Sequence, residues 1–178
     1  MAIRRILELG DPLLRTPCRE VPEPSARFVA ELVADLHDTL LDARERTGYG
    51  RGIAAPQIGE LARVVVLDLP GRSRWPLVNP EIVQRSAETH VVWDGCLSFL
   101  EVFCQVERHR AITVRYQDLE GTWHQLDTGA EEDLAELLQH EIDHLDGLLT
   151  IDRMVDPKSL VTRGELERRY RAESPYGR

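Results

Sequence analysis

Residues 134–147, LAELLQHEIDHLDG, constrain this chain more than any other stretch. Leu134, Leu137, Leu138, Ile142 and Leu145 recur at three- and four-residue steps, the period of a helix with one buried face. Thr128 and Glu131 predict a capping box at its start. Glu131, Glu132 and Asp133 complement the positive end of the helix dipole, and Gly147 predicts the stop. Inside this apolar helix stand His140, Glu141 and His144. Residues four apart share a face about one turn apart, so both imidazoles can reach one metal ion. Glu141 projects from a neighbouring face, where it can touch a water beside that ion without being a ligand. This is the HExxH arrangement: two histidines bind metal and the glutamate moves protons. The competing reading is the polar end of a surface helix. The apolar flanks argue against it, because buried polar groups need partners.

At 178 residues, one compact domain spanning 1–178 is expected, with residues 171–178 as a loose tail. The formal net charge of −9 argues against a general nucleic-acid-binding surface. The opening MAIRRILELGDP lacks the apolar run of a secretion signal, and no stretch approaches a membrane span of roughly 20 apolar residues. Three scattered cysteines suit a reducing compartment better than a disulfide framework. A cytoplasmic enzyme is the expectation.

Along the chain, residues 3–21 read as a proline-rich, turn-rich arm. Phe28, Leu32, Leu36, Leu40 and Leu41 predict a helix from Pro24 to about Arg46, with Asp35, Asp38, Asp42 and Arg44 on its solvated face and His37 exposed. Residues 48–60, GYGRGIAAPQIGE, are too rich in glycine for a regular helix. They read as a tight connection or as a loop whose main chain meets a ligand, with Gln57 as a neutral donor. Residues 63–69, 77–84 and 90–93 predict strands. The last ends in DGCLS, where Gly95 permits a turn presenting Cys96, while Cys18 and Cys104 read as packing residues. Residues 105–118 alternate as a strand, 122–126 pair back as a hairpin, and His109 and His124 read as structural or exposed. Residues 148–154 predict a short strand, and 159–170 a charged final helix packing through Leu160, Val161, Leu166 and Tyr170.

Three separated stretches, GRGIAAPQIG, DGCLS and QHEIDHLDG, together with the early GDPLLR, resemble in order the signature motifs of the peptide deformylases. The resemblance implies an α+β fold: antiparallel sheets around a central HExxH helix, with an N-terminal and a C-terminal helix. It implies removal of the formyl group from N-formyl-methionyl peptides or nascent proteins, with release of formate. Carried onto this sequence, Cys96, His140 and His144 are the metal ligands. Ferrous iron is the implied ion, with zinc, nickel or cobalt able to replace it. Glu141 moves the proton, and Gln57 and the Leu97 N–H stabilise the oxyanion. Arg51, Gly52, Ile53 and Gly95 line the substrate. The implied partners are a formylated peptide N-terminus and the ribosome, with no membrane and no direct nucleic-acid recognition.

The sequence departs from the family pattern at the rim. Asp94 stands where a glutamate is usual, Phe99 and Leu100 replace Ile-Pro, Phe103 replaces an arginine, and Arg51 replaces an apolar residue. These departures make a formylated small molecule the rival substrate. A metalloprotease would need a third ligand downstream, for which only Asp152 and Asp156 offer themselves, and would leave DGCLS unexplained. A non-catalytic, metal-stabilised binding module would hold metal without turnover.

Overall fold

The computed structural model describes residues 2–170. A five-stranded antiparallel sheet has the order β1-β2-β3-β6-β7 (Gly52–Ala54, Val64–Leu69, Arg72–Arg85, Ile112–Gln117 and Trp123–Asp127). A smaller antiparallel sheet joins β4 (Thr89–Asp94), β5 (Val102–His109) and β8 (Val161–Thr162). Helix α1 is Arg27–Thr47 and helix α2 is Glu132–Leu145. This is the expected α+β arrangement of antiparallel sheets around the HExxH helix.

The alternation of β2 decides which helix lies on which face. Val65 and Leu67 point to a cluster with Leu134, Leu137, Leu138, Ile142 and Leu145 of α2. Val64 and Val66 point to the opposite cluster with Val29, Leu32, Val33, Leu36 and Leu40 of α1. The large sheet is thus sandwiched, and α2 is enclosed so fully that residues 134–145 are all buried. Six of those twelve are polar or ionisable: Glu136, Gln139, His140, Glu141, Asp143 and His144. Each such group needs a compensating partner, and the surrounding elements are arranged to supply most of them.

Several local expectations give way to tertiary contacts. No capping box opens α2: the Thr128 hydroxyl accepts from the Ile112 N–H and donates to the Ile112 carbonyl, so strand β6 claims it. Residues 105–118 form no single strand. The chain breaks at Arg110 and Ala111, and β5 and β6 go to different sheets. Residues 148–154 hold a 3-10 turn, Thr150–Arg153, in place of a strand. The expected final helix is a short turn Arg163–Glu165 (α3) running into a π-turn Leu166–Tyr170, preceded by β8. Leu166 packs inward and Leu160 is exposed. On α1, Phe28 is 52% exposed because the buried stripe runs through Val29 and Val33. His37 and Arg44 are not free surface groups: both pair with Asp68 of β2, at 3.0 and 2.7 Å. The expected loose tail, 171–178, lies outside the described residues. Among the described residues no helix is long and apolar enough to cross a membrane.

Candidate metal centre

Helix α2 places His140 and His144 one turn apart, their rings edge to face at 5.0 Å between centroids. Strand β4 ends at Asp94, and Gly95 turns the chain so that Cys96 faces the same helix. A side chain at position 95 would overlap the Phe103 ring, so glycine is required there by close approach. Cys96 Sγ lies 3.2 Å from His144 Nε2. One donor atom from each of Cys96, His140 and His144 lies within 4.8 Å of the other two.

A cation fits these residues. Nitrogen and sulfur ligands bind zinc-like ions at roughly 2.0–2.3 Å, so donors sharing one ion sit about as close as these do. A thiolate with two imidazoles is a donor set for a borderline transition metal. The His140 ring is also oriented for it. His140 Nδ1 donates to Asp94, at 3.0 Å to Oδ1, and Thr150 Oγ1 lies 3.3 Å from the same nitrogen, which leaves Nε2 to face the site. Three protein donors leave a fourth position for water or substrate, the pattern of a catalytic site and not of a structural one.

The electrostatics agree. Burial would raise the Cys96 thiol, but His144 and His140 outweigh it and bring it down to about 5. Burial would likewise lower His140, yet Asp94 and Cys96 hold it well above its ordinary value. Burial would raise Asp94, but His140 and Arg108 keep it well below the usual carboxylate range. Positive charge beside Cys96 thus favours a thiolate, and a metal ion held by the same donors would supply that charge in place of protons.

Glu141 is buried beside these donors, and burial pushes its carboxyl up to about 7. Its Oε2 has no hydrogen-bond partner among the described residues. Such an oxygen suits exchange of a proton with a bound molecule. A Cβ on Gly52 would stand 2.7 Å from Glu141 Oε1, so the absent side chain lets β1 lie against the carboxylate. Gln57 is held by its Oε1, which accepts from the Ala54 N–H at 2.9 Å. Its Nε2 points at Cys96 Sγ (3.5 Å) and Ser98 Oγ (3.3 Å), so the amide donor is aimed into the site. Leu97 opens the 3-10 turn Leu97–Phe99, where first-turn N–H groups lack an intraturn acceptor.

A cavity beside these groups is lined by Arg51, Gly52, Gln57, Gly95, Cys96, Leu97, His140 and Glu141. Tyr49, Leu100, Phe103 and Leu137 complete its apolar wall. Of the residues expected from sequence, Ile53 behaves differently: its side chain is fully buried in the cluster around α1, and it is not among the residues that line the cavity.

Four further residues were not legible as part of the site. Arg108, 3% exposed, donates to Asp94 (3.0 Å) and to Asp143 (2.6 Å), tying β4 and α2 to β5. Arg153 closes the far side of Asp143 at 2.7 Å. Glu136, 2% exposed, takes Arg51 Nη2 at 2.7 Å. The available signal was their position: Glu136 and Asp143 lie on a helix with no exposed face, so each demands a cation.

The family model described as polypeptide deformylase matches residues 3–159. A peptide deformylase of Desulforudis audaxviator is 41% identical over 153 residues, covering 86% of this chain and 94% of the relative. The crystal structure of peptide deformylase from Thermotoga maritima superposes with a TM-score of 0.79 at 35% identity, covering 88% of this chain and all of that one. An Ehrlichia chaffeensis peptide deformylase in complex with actinonin gives a TM-score of 0.79 at 29% identity, covering 89% and 92%.

Proposed function

The chain belongs to the polypeptide deformylase family, and from that premise we propose that Cys96, His140 and His144 hold its metal while Glu141 moves the proton. It is a metal-dependent hydrolase that removes the formyl group from N-formyl peptides and releases formate. The observation that carries the residue assignment is the convergence of three buried donors beside a carboxylate oxygen with no hydrogen-bond partner among the described residues.

A divalent ion in this site supplies Lewis acidity, polarising the formyl oxygen and making water a better nucleophile near neutral pH. The protein does the rest. Glu141 accepts the proton of the attacking water and returns one to the departing amine, a poor leaving group until protonated. The Gln57 amide and the Leu97 N–H donate to the oxyanion that forms on the former formyl oxygen. Gly52 and Gly95 bring main chain close to the substrate from two walls, and β1 is the outer strand of its sheet, so an extended peptide can add alongside it. Arg51 lines the cavity beside that path. Asp94 positions His140, and Arg108 positions Asp94.

Ferrous iron is the ion proposed here, with zinc, nickel and cobalt accepted by the same donors. The reading extends to action in the cytoplasm on formylated chains emerging at the ribosome, by residues 1–178 as one folding unit. A peptide substrate is favoured over a formylated small molecule, because the chain covers nearly the full length of relatives named as peptide deformylases. A pure binding module has no use for a buried proton-exchanging carboxylate at the cavity.

The test is formate release from formyl-Met peptides by iron-loaded protein prepared without oxygen. Wild type should turn over, and Glu141→Gln should retain its metal and lose about 10²–10⁴-fold in kcat. A metal-loaded wild type that releases no formate would overturn the assignment.

A further inference from the structure

The cation at the cavity is the feature that the mechanism does not use. Arg51 lines the catalytic cavity and also an adjoining open groove, sharing both positions with Leu137. It directly precedes Gly52, which lies against Glu141, and neighbouring Cα atoms are about 3.8 Å apart. The Arg51 backbone is therefore fixed beside the proton-moving group, and its own carbonyl accepts from the Asp68 N–H at 2.9 Å.

Its side chain is fixed too. Glu136, one turn before His140 on α2, receives Nη2 at 2.7 Å from within the protein. The arginine side chain remains 26% exposed against 3% for the glutamate. Glu136 is thus the buried anchor of the pair, and Arg51 is the partner that lines the cavity. The neighbouring wall is apolar, formed by Tyr49, Leu97, Leu100 and Phe103. Coulombic attraction is strengthened where apolar surface displaces water. A guanidinium is a planar fork of donors that matches a carboxylate and repels an ammonium.

We propose that Arg51, anchored by Glu136, is a specificity-determining residue that takes a carboxylate of the substrate, so that formylated peptides with an acidic side chain in their first two positions are preferred. This rests on the deformylase reading of the same cavity. The restriction to two positions comes from the groove beyond. Glu131, Glu132 and Asp133 line it with Arg72, so beyond Arg51 three carboxylates face a single further cation, and an acid placed farther from the reacting carbon is disfavoured. Arg51 is the one arginine or lysine among the described residues that line the catalytic cavity, so the first or second side chain is the one it can reach.

The test compares kcat/KM for four peptide amides: formyl-Met-Ala-Ser, formyl-Glu-Ala-Ser, formyl-Met-Glu-Ser and formyl-Met-Lys-Ser. One acidic peptide should exceed the neutral one by roughly tenfold, the scale of a hydrogen bond to a charged group. Which of the two does so identifies the position read by Arg51. The advantage should shrink at high ionic strength. It should vanish in Arg51→Met/Glu136→Met, which removes both charges and avoids stranding a buried carboxylate. Arg51→Lys keeps a cation for Glu136 without the fork and should reduce the advantage if the double variant does not fold. Calorimetric binding of the same peptides to Glu141→Gln should reproduce the order without turnover. Equal rates, a preference for the lysine peptide, or an acidic preference that survives both variants would overturn the proposal alone. Absence of formate from all four peptides would overturn the deformylase reading as well.

Discussion

Arg108→Met probes how much of this fold exists to support one histidine. Arg108 is 3% exposed and Asp94 is fully buried, 3.0 Å apart, with Asp143 on the other arm at 2.6 Å. Removing one partner of a buried pair leaves an uncompensated charge and typically costs about 3–5 kcal/mol. Asp143 keeps Arg153 at 2.7 Å, so the damage falls mainly on Asp94 and the lower end of that range applies. For a chain of this size, each kcal/mol shifts Tm by about 2–4 °C, so a loss of roughly 6–12 °C is expected. Urea unfolding should show a lower midpoint at unchanged m. Asp94 would also hold His140 less firmly, and such losses typically lower metal affinity about 10–100-fold, which a metal-buffer titration reads. Adding Asp94→Asn should recover part of the stability, because the cost comes from the stranded carboxylate. A loss below about 1 kcal/mol would refute the reasoning, since it would mean that Asp94 is hydrated and not held.

Cys96→Ser should sharply reduce metal content in purified protein, measured by elemental analysis, since a hydroxyl is a poor substitute for thiolate; unchanged content would remove Cys96 from the ligand set. Gln57→Ala should lower kcat about 10²–10³-fold with little change in metal content, the usual cost of one oxyanion donor. Asp68→Asn should destabilise by about 1–2 kcal/mol at neutral pH, because it weakens contacts from Arg44, His37 and the Arg74 N–H. Burial opposes the charge of Asp68, but these three hold its folded pKa below the ordinary value. Its contribution is therefore complete above the unfolded pKa of roughly 3.9 and is lost as pH falls through the folded value, so wild type and variant should converge in acid unfolding curves.

The site was legible where local chemistry and helical spacing coincide. His140 and His144 announce a shared face by their four-residue step, and Cys96 is announced by the turn that Gly95 permits. The supporting charges were not legible, because nothing local marks them. Arg108 sits on a strand that alternates like any other, and its two carboxylates lie 14 and 35 residues away in sequence. The same reason accounts for the capping box that did not form. Thr128 and Glu131 have the right spacing, but strand β6 offers the hydroxyl a donor and an acceptor at once. Where a polar side chain has a local and a long-range partner available, spacing alone does not decide between them.

Phe103 shows how one departure from the family pattern is tied to another. By sequence it falls on the rim, where an arginine is usual and would need solvent. In the structure it is 1% exposed, in a cluster with Trp93 and Leu166. It is covered because β8 pairs with β5 at Phe103 itself, which brings α3 and the following turn over the ring. Tyr49 closes the other side at 5.8 Å between centroids, and Arg163 lies 4.6 Å over the Tyr49 ring. The Tyr49 hydroxyl donates to Glu167, in the turn that carries Leu166. An arginine at 103 would have to be buried beneath this cover or displace it, and a buried unpaired guanidinium is not tolerated. Phe103 and the segment 161–170 therefore form one unit. The cationic contact with substrate that an arginine at 103 would make is absent from this wall of the cavity, while Arg51 provides a cation on another.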